Sequence, residues 1–413
     1  MHKILYITYE PPLFPGGSGG QTRQYHLIKE LSDRYEFHYV GVCSNPLHQE
    51  KLRELFAKVF IPQRKGAFGR LRSSLAKRVN RDFPTAVRKL EGERIHLEPL
   101  IKHALQQEQY DLIHVEHSNI AHWLHRIDCR IPRLLVAQNV KTTMWERYAA
   151  QADRNTKAQL AADARLFRIY ESRFIRDYSM VVVVSDVDKT LLQQLVGDAF
   201  PIAIVPNGVN TEYFRPDHSC ILPYHLVFTG TMNHPPNSEA AIYFVKKILP
   251  KIKAKIPQVT FSIIGSSPTE EVLALDNGSS IKVTGFVEDT RPYLAAAHIV
   301  VVPLLTGSGT RLKIMEAMAM GKAVVSTSIG AEGIAYTQGE NIQIADNPDT
   351  FAASVIALMA DQKSCEALGA QARKFVGIHY EWNSLAAKLD KIYRTVIYDK
   401  KGPCASRQER RSS

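Results

Sequence analysis

Cysteine is scarce in this sequence of 413 residues, and long apolar runs are missing altogether. The five cysteines are scattered and form no CxxC pair, which argues against both a disulfide framework and a zinc site and favours a reducing compartment. The opening residues, MHKILYITYEPP, lack the apolar core of a signal peptide. No segment reaches the roughly 18 consecutive apolar residues of a membrane-spanning helix. These absences predict a cytoplasmic protein.

Positive charge is in excess. The chain carries 52 Lys and Arg against 41 Asp and Glu, a formal net charge of +11, so its surface should attract anions. No recognised nucleic-acid-binding module is present, and we therefore predict no nucleic-acid partner. Apolar residues make up 45% and charged residues 23%, which is typical of a soluble globular protein with a large core. The length suits two domains.

Short Val- and Ile-rich segments alternate with amphipathic segments of helix length, which is the pattern of parallel βαβ units. Six such strands are predicted between residues 3 and 185, and six more between residues 225 and 345. A stretch rich in Pro, Asn and Gly separates the two sets. The sequence predicts an α/β protein of two Rossmann-like, doubly wound parallel-sheet domains facing a central cleft, with ligands at the carboxyl ends of the strands.

A glycine-rich loop follows the first predicted strand. Gly16, Gly17, Gly19 and Gly20 let the backbone approach a ligand and expose N–H donors ahead of a helix. The spacing is not that of a dinucleotide fingerprint, because Thr22 occupies the place of the third glycine. NAD binding is therefore disfavoured, and a surface turn remains the alternative to a ligand-binding loop.

A second glycine-rich loop leads into another helix. Residues 307–310 read GSGT, Thr310 is a suitable N-cap, and Gly321 should end the helix. Arg311 and Lys313 then fall in the first turn, where the helix dipole disfavours cations.

Two cations beside a helix N-terminus would bind a diphosphate well. In the alternative interpretation, Lys313 pairs with Glu316 on the surface and Arg311 points to solvent. Glu316 itself lies in an apolar run, so its carboxylate is either solvent-facing or bonded to a buried polar partner.

Three segments together resemble a known family. They are VTGFVEDTRPYL…KAVVST (283–327), VPNGVN (205–210) and FTGTMNHPPN (228–237). They are similar to the retaining family-4 glycosyltransferases (glycosyl transferases group 1) of GT-B fold. The closing YEWNSLA (380–386) resembles the final helix of that family, which crosses back onto the first domain.

The resemblance implies the following domain boundaries. An N-terminal acceptor domain would comprise residues 1–204 and be completed by a helix at 381–401. A C-terminal donor domain would comprise residues 205–380, and residues 402–413 would form a disordered basic tail.

The family has a Glu-x7-Glu motif. Glu316 matches the second glutamate, which binds the ribose, while the first, which touches the donor sugar, falls on Ser308. Many members hold the diphosphate with an Arg and a Lys after the first strand of this domain, and residues 230–234 contain neither. We therefore expect Arg311 and Lys313 to replace them. The predicted donor-binding residues are Gly230, Thr231, Gly285, Phe286, Ser308, Gly309, Thr310, Arg311, Lys313 and Glu316.

In the first domain the family often places a histidine facing the donor sugar. That position falls on Gln138, followed by Asn139; both can bond a sugar hydroxyl but neither exchanges protons at neutral pH. His117 could supply an imidazole, with Glu116 competing for the role and His114 more typical of a core residue. The predicted catalytic residues are His117, Gln138, Asn139 and Arg311. The acceptor is expected to enter over the loop of Gly16, Gly17, Gly19 and Gly20.

Residues 64–89 contain nine Lys or Arg and one acid, Asp82. Their apolar residues recur at helical spacing, so this segment is either a basic amphipathic helix on anionic lipid or a solvated helix packed on the first domain. A lipid-linked acceptor would suit the first alternative. The location is accordingly cytoplasmic, either free or peripheral at the inner face of the plasma membrane.

The sequence as a whole predicts a retaining glycosyltransferase. It would move a sugar from a UDP- or GDP-linked donor to a glycan or lipid-linked acceptor in polysaccharide or glycoconjugate synthesis. No cluster of acids suggests a metal site, so turnover is expected without a metal or a cofactor. Two alternatives remain open: a nucleotide-sugar epimerase of the same fold, and a non-catalytic nucleotide-sugar-binding protein.

Overall fold

The computed structural model describes residues 1–62, 82–125, 127, 130–217, 221–307 and 309–398. The chain divides into two compact units. The first is Met1–Pro206 with Leu385–Ser413, and the second is Asn207–Ser384. The sequence placed the boundary at residues 204 and 205, two residues earlier.

The first unit is built on a parallel sheet of seven strands. These are β1 (His2–Thr8), β2 (Tyr35–Gly41), β3 (Lys58–Phe60), β4 (Leu112–Glu116), β5 (Arg133–Ala137), β6 (Met180–Val183) and β7 (Ile202–Ile204). Their order is β3-β2-β1-β4-β5-β6-β7. In the central register Ile4 pairs with Phe37 on one side and Leu112 on the other. The short strand β7 was missed by the sequence pattern.

Helices connect these strands. They are α1 (Gly19–Leu31), α2 (Pro46–Leu55), α3 (Thr85–Gln107), α4 (Lys141–Gln151), α5 (Arg154–Phe174) and α6 (Asp186–Val196), with 3-10 turns at Ser118–Leu124 and Ile175–Asp177. The middle of β1 is completely buried, because helices cover both faces of a parallel sheet.

The second unit repeats the plan with six parallel strands. These are β8 (His225–Thr229), β9 (Thr260–Ile264), β10 (Ile281–Val283), β11 (Ile299–Val302), β12 (Ala323–Ser326) and β13 (Gln343–Ile344), in the order β10-β9-β8-β11-β12-β13. Its helices are α7 (Pro235–Tyr243), continued by a π-turn at Phe244–Ile248 and α8 (Leu249–Lys253), then α9 (Glu270–Leu273), α10 (Arg291–Ala296), α11 (Leu312–Ala319), α12 (Pro348–Ala360) and α13 (Gln362–His379).

The final helix, α14 (Trp382–Tyr398), starts in the second unit and belongs to the first from Leu385 onward. The hydroxyl of Tyr393 lies 2.7 Å from Nδ1 of His114 in β4. Asp390 accepts a hydrogen bond from the Tyr35 hydroxyl at 2.7 Å. His114 is thus a satisfied core residue, as its position inside an apolar strand suggested.

In both sheets the strand order reverses once, between β1 and β4 in the first unit and between β8 and β11 in the second. Loops that leave neighbouring strands in opposite directions open a crevice at such a point, which is where doubly wound sheets bind ligands. The loop after β11 runs into α11, so this helix begins at the switch point of the second sheet.

A backbone contact with no room for a side chain holds the far end of α11. Gly321 follows the helix with a φ of +68°, a conformation that favours glycine. A Cβ atom on Gly369 of α13 would lie 2.1 Å from the Gly321 carbonyl oxygen. The glycine at 369 therefore lets α13 pack directly on the end of α11.

We expect Gly369→Ala to lower the free energy of unfolding by about 1–3 kcal/mol, because the added methyl group must displace backbone. Gly377→Ala, in the same helix, is the matched control: its Cβ atom would meet nothing within 4 Å. That variant should be stabilised by about 0.5–1 kcal/mol through lower backbone entropy. Urea denaturation measures both, and equal effects at the two positions would contradict the packing argument.

Candidate functional site

Helix α11 begins one residue later than expected. Its N-cap is Arg311, whose carbonyl accepts from the Ile314 amide at 3.1 Å, and its first residue is Leu312. Thr310 is therefore not the N-cap: its hydroxyl is buried and has no hydrogen-bond partner among the described residues. Arg311 and Lys313 still flank the helix start, where unpaired backbone N–H groups gather.

The side chain of Lys313, in the first turn of α11, extends to β8 and to the start of α7. Its Nζ donates to Oδ1 of Asn237 at 2.8 Å and lies 4.3 Å from the centre of the Phe228 ring. A Cβ atom on Gly230 would lie 2.7 Å from the same Nζ. Instead of pairing with Glu316 on the surface, this ammonium group occupies the edge of the β8 loop that the sequence left without a cation.

Arg311 folds over its own glycine loop. Its Nη1 donates to the Gly309 carbonyl, and its Nη2 would lie 2.6 Å from a Cβ atom on Gly307. Gly307 has a φ of +120°, so both its backbone conformation and the guanidinium above it call for glycine. The glycines of this loop thus let two cations gather at the same helix end.

Burial perturbs the ionisation of both charged groups on α11. It lowers the pKa of Lys313 to about 7, and the charge of Arg311 lowers it further while Glu316 opposes the change. Burial raises the pKa of the half-buried Glu316 to about 7, against the effect of Lys313. An anion placed between the two cations would restore the full charge of Lys313.

The remaining predicted donor-site residues lie on neighbouring loops of the same unit. Gly230 and Thr231 follow β8, while Gly285, with a φ of +69°, and Phe286 follow β10. Phe286 is 70% exposed, which is unusual for a large apolar side chain. Ser308 lies outside the described residues.

The sequence reasoning missed two partners of Lys313. Asn237 and Phe228 lie within the segment FTGTMNHPPN, but only the folded sheet shows that they face Lys313. A third missed residue is Gly265, where a Cβ atom would come 1.8 Å from the Gly230 carbonyl oxygen. That close approach fixes the β8 loop against the loop after β9.

In the first unit, a buried carboxylate organises the carboxyl end of β4. Glu116 accepts hydrogen bonds from the Tyr6 hydroxyl at 2.9 Å, from Nε2 of His114 at 3.1 Å and from Nε2 of Gln138 at 3.0 Å. Burial raises the pKa of Glu116, but hydrogen bonding and charge from His114, with the charges of His117 and Arg23, outweigh it and leave the pKa lowered. Glu116 is thus a structural carboxylate that orients Gln138.

His117 lies at the switch point of the first sheet. Its ring is buried, 4.9 Å from the Tyr9 ring centre, with Nε2 at 3.9 Å from Glu10 and 3.5 Å from the Gln24 amide nitrogen. Burial lowers the pKa of His117, against the opposing charges of Glu10 and Glu116. Burial likewise lowers the pKa of Lys141, whose charge acts on His117. Glu10, Gln24 and Lys141 were not anticipated from the sequence.

The first glycine-rich loop packs tightly. Ser18 is the N-cap of α1 and forms a capping box with Gln21, so Gly19 and Gly20 are the first helical residues instead of preceding the helix. A Cβ atom on Gly20 would lie 2.5 Å from Oε1 of Gln138, and one on Gly17 would lie 2.3 Å from the Leu13 carbonyl oxygen. Gly20 therefore brings α1 directly against Gln138.

Asn139, half-buried, follows Gln138 in the same loop. Within the described ranges, no group of three or more His, Cys, Asp or Glu is placed to hold a metal ion. No helix in that part of the chain is both long and apolar enough to span a bilayer.

Comparison with known families accounts for both units. The model of the family "Glycosyltransferase Family 4" matches residues 17–213, and that of "Glycosyl transferases group 1" matches residues 223–361. The chain belongs to the family-4 glycosyltransferases. The two parallel sheets are those of the GT-B fold, as the sequence predicted.

Individual relatives of this glycosyltransferase are distant. An uncharacterized 44.6 kDa protein in the cps region of Klebsiella pneumoniae is 26% identical over 42% of the chain and 46% of its own length. The phosphatidyl-myo-inositol mannosyltransferase of Mycolicibacterium smegmatis is 28% identical over 52% of the chain and 57% of its own length. The matches thus span about half of these two relatives.

Anabaena HepE, solved in complex with UDP and glucose, has a similar fold. The TM-score is 0.67 at 15% identity, and the match covers 96% of this chain and 100% of HepE. At that identity the likeness concerns the fold alone.

We expect Glu116→Gln to cost the glycosyltransferase about 3 kcal/mol of unfolding free energy, because a buried acceptor of three hydrogen bonds becomes partly a donor. The pKa of Glu116 lies below its ordinary value of 4.5. The ionised carboxylate therefore stabilises the fold above pH 4.5, and this stabilisation is lost as the pH falls through the folded-state pKa. The deficit should therefore shrink in acid. Urea denaturation across pH tests this, with the exposed Glu30→Gln as control; a deficit independent of pH would refute it.

Proposed function

We propose that this glycosyltransferase is a retaining, metal-independent enzyme. Its donor would be a UDP- or GDP-linked sugar and its acceptor a glycan or lipid-linked molecule in cell-surface polysaccharide or glycoconjugate synthesis. The observation that carries the donor assignment is the position of Lys313, whose Nζ lies against Gly230, which follows β8, and Asn237 in the first turn of α7, across the switch point.

The donor diphosphate would lie at the start of α11. Arg311, Lys313 and the free N–H groups of the helix offer charge-assisted donors to its oxygens. Glu316, one turn further along the helix, would accept from the ribose hydroxyls. The base would pack near Gly285 and the exposed Phe286.

The remaining donor contacts would come from Thr231, Gly309 and Thr310, the last through its buried, unsatisfied hydroxyl. The donor-sugar contact assigned to Ser308 lies outside the described residues.

Catalysis would consist of positioning and charge stabilisation. As the bond to the sugar breaks, negative charge grows on the leaving diphosphate, and Arg311 and Lys313 would stabilise it. In the first unit, Gln138 is held by Glu116 and would bond a sugar hydroxyl, with Asn139 and His117 as further polar groups of the site. We further propose that the acceptor enters over Gly16, Gly17, Gly19 and Gly20.

The acceptor class is supported by a relative's activity. The relative from Mycolicibacterium smegmatis is named a phosphatidyl-myo-inositol mannosyltransferase. With a lipid-linked acceptor the enzyme would contact an anionic membrane, and the basic segment 64–89 is the contact that the sequence predicts. Residues 64–81 of that segment lie outside the described residues, and α3 begins at Thr85. The enzyme would then work in the cytoplasm, at the membrane surface.

An epimerase or a binding protein is less well supported, because both family models describe glycosyltransferases. Product analysis separates the three: released nucleotide with a glycosylated acceptor indicates transfer, whereas an isomerised nucleotide-sugar or unchanged donor indicates one of the others.

Glu316→Ala should weaken nucleotide-sugar binding about 10- to 100-fold, since it removes a charged acceptor for the ribose hydroxyls. Isothermal calorimetry with UDP- and GDP-sugars, after a thermal-shift screen to choose the donor, measures the loss. The exposed Glu340→Ala should bind as the wild type does. Unchanged affinity in Glu316→Ala would show that the ribose site lies elsewhere.

Donor affinity should depend on pH through Lys313. The pKa of Lys313 is about 7 in the free protein and should rise when a diphosphate binds. The contribution of Lys313 to donor affinity is therefore complete below pH 7 and declines as the pH rises through the pKa of the bound state. A nucleotide-sugar is the right probe, because its diphosphate diester does not titrate in this range. Wild type should bind about tenfold or more tighter than Lys313→Met near pH 6, and the ratio should approach one near pH 9.

The exposed Lys255→Met serves as the control and should follow the wild type at every pH. A constant ratio between wild type and Lys313→Met would place Lys313 outside the diphosphate site.

A further inference from the structure

Helix α5 has one strongly cationic side. Six exposed cations lie on this side, the last of them in the turn that follows the helix: Arg154, Lys157, Arg165, Arg168, Arg173 and Arg176. We call these residues, with Ile169 among them, the outer face of α5. At 1.5 Å per residue the face is about 33 Å long.

The acids of the same helix point the other way. Asp163 is buried and accepts from the Thr85 amide at 2.8 Å. Glu171 is buried and accepts from the Ser118 hydroxyl at 2.9 Å and from the Thr142 amide at 2.9 Å, so that it caps α4. Both carboxylates of the helix are thus used inside the unit, and neither neutralises the outer face.

Helix stability does not account for this arrangement. Arg154 and Lys157 lie in the first turn, where the helix dipole disfavours cations, and only the capping Asp153 offsets them. Arg168 is paired with Glu146 at 2.6 Å, an exposed ion pair of small value. Only Arg173, near the helix end, suits the dipole.

The outer face also carries an exposed aliphatic side chain. Ile169 is 64% exposed and lies between the cations, whereas the aromatic residues Phe167, Tyr170 and Phe174 are buried on the opposite side. A cationic helix side with an aliphatic residue is suited to a lipid headgroup layer. Single-stranded nucleic acid would instead need exposed aromatic rings as stacking platforms, and the residues of the outer face include none.

We propose that the outer face of α5 docks the protein on an anionic phospholipid bilayer. The cations bind the headgroup phosphates and carboxylates, and Ile169 enters the boundary with the acyl chains. This surface is formed by residues other than those of the basic segment 64–89, and the proposal does not depend on the donor site of α11.

The test is vesicle flotation with the full chain, using phosphatidylcholine vesicles with and without phosphatidylglycerol. Wild type should float only with the anionic vesicles, and less at high salt. The double variant Lys157→Glu with Arg165→Glu should lower the partition coefficient at least about tenfold. Each cation near an anionic surface raises that coefficient about fivefold, and the variant removes two. Circular dichroism should show both proteins equally folded, because both side chains are exposed.

Two controls have the same change in net charge. Lys246→Glu with Lys247→Glu, exposed in the second unit, should float as the wild type does. Arg70→Glu with Arg72→Glu tests the segment 64–89: if only this variant loses binding, the docking surface is that segment and the proposal is wrong. Absence of wild-type flotation would overturn the proposal. Wild-type flotation of the variant Lys157→Glu with Arg165→Glu would also overturn it. Equal losses of flotation in that variant and in Lys246→Glu with Lys247→Glu would overturn it as well.

Ile169→Ser distinguishes a bilayer from a soluble polyanion. It should weaken binding to anionic vesicles severalfold and leave retention on a DNA duplex unchanged. If Ile169→Ser has no effect on vesicles while Lys157→Glu with Arg165→Glu abolishes duplex binding, the surface binds polyanions in general and the lipid assignment is wrong. Nucleotide-sugar affinity, measured in the same variants, should not change, so the donor proposal is judged separately.

Discussion

At the start of α11, charged side chains are held close together and are partly removed from water. Arg311 and Lys313 stand where the backbone is already positive, and Glu316 is the only acid close by on the helix. Cations held together in this way destabilise the folded protein unless an anion pairs with them. Close backbone packing fixes these charged side chains in position. It occurs at the glycines of the loop, between Gly265 and Gly230, and between Gly369 and Gly321. The structure around α11 thus holds two cations together at the start of a helix.

The architecture followed from patterns that are local in sequence. Buried parallel strands need apolar residues on both faces, and that requirement revealed twelve of the thirteen strands. The strand missed, Ile202–Ile204, has only three residues, lies at the edge of the sheet and comes directly before the Pro- and Asn-rich stretch that was interpreted as a linker. The start of α11 was misplaced by one residue, because a threonine after glycine looks like a cap while the hydrogen bonds begin at Arg311. Local chemistry therefore predicted the fold, while the strand order came from the structure.

The finer geometry of the sites was beyond the sequence because it depends on distant partners. Lys313 could have paired with Glu316 three residues away, and only the pairing of β8 with β11 shows that Asn237 lies within its reach. Glu116 was considered as a rival catalytic acid, yet Tyr6, His114 and Gln138 use its oxygens. The resemblance to a family supplied positions such as Glu316 and Gln138, but not what each side chain contacts.

The last helix has a consequence for the order in which the molecule can be made. The hydroxyl of Tyr393 bonds His114, and Asp390 bonds Tyr35, so the first unit contains polar core groups whose partners lie near the end of the chain. A ribosome releases all of the second unit before these partners emerge. The first unit therefore waits, incompletely packed, through the synthesis of Asn207–Ser384, and an amino-terminal fragment ending at Pro206 would expose the surface that α14 covers.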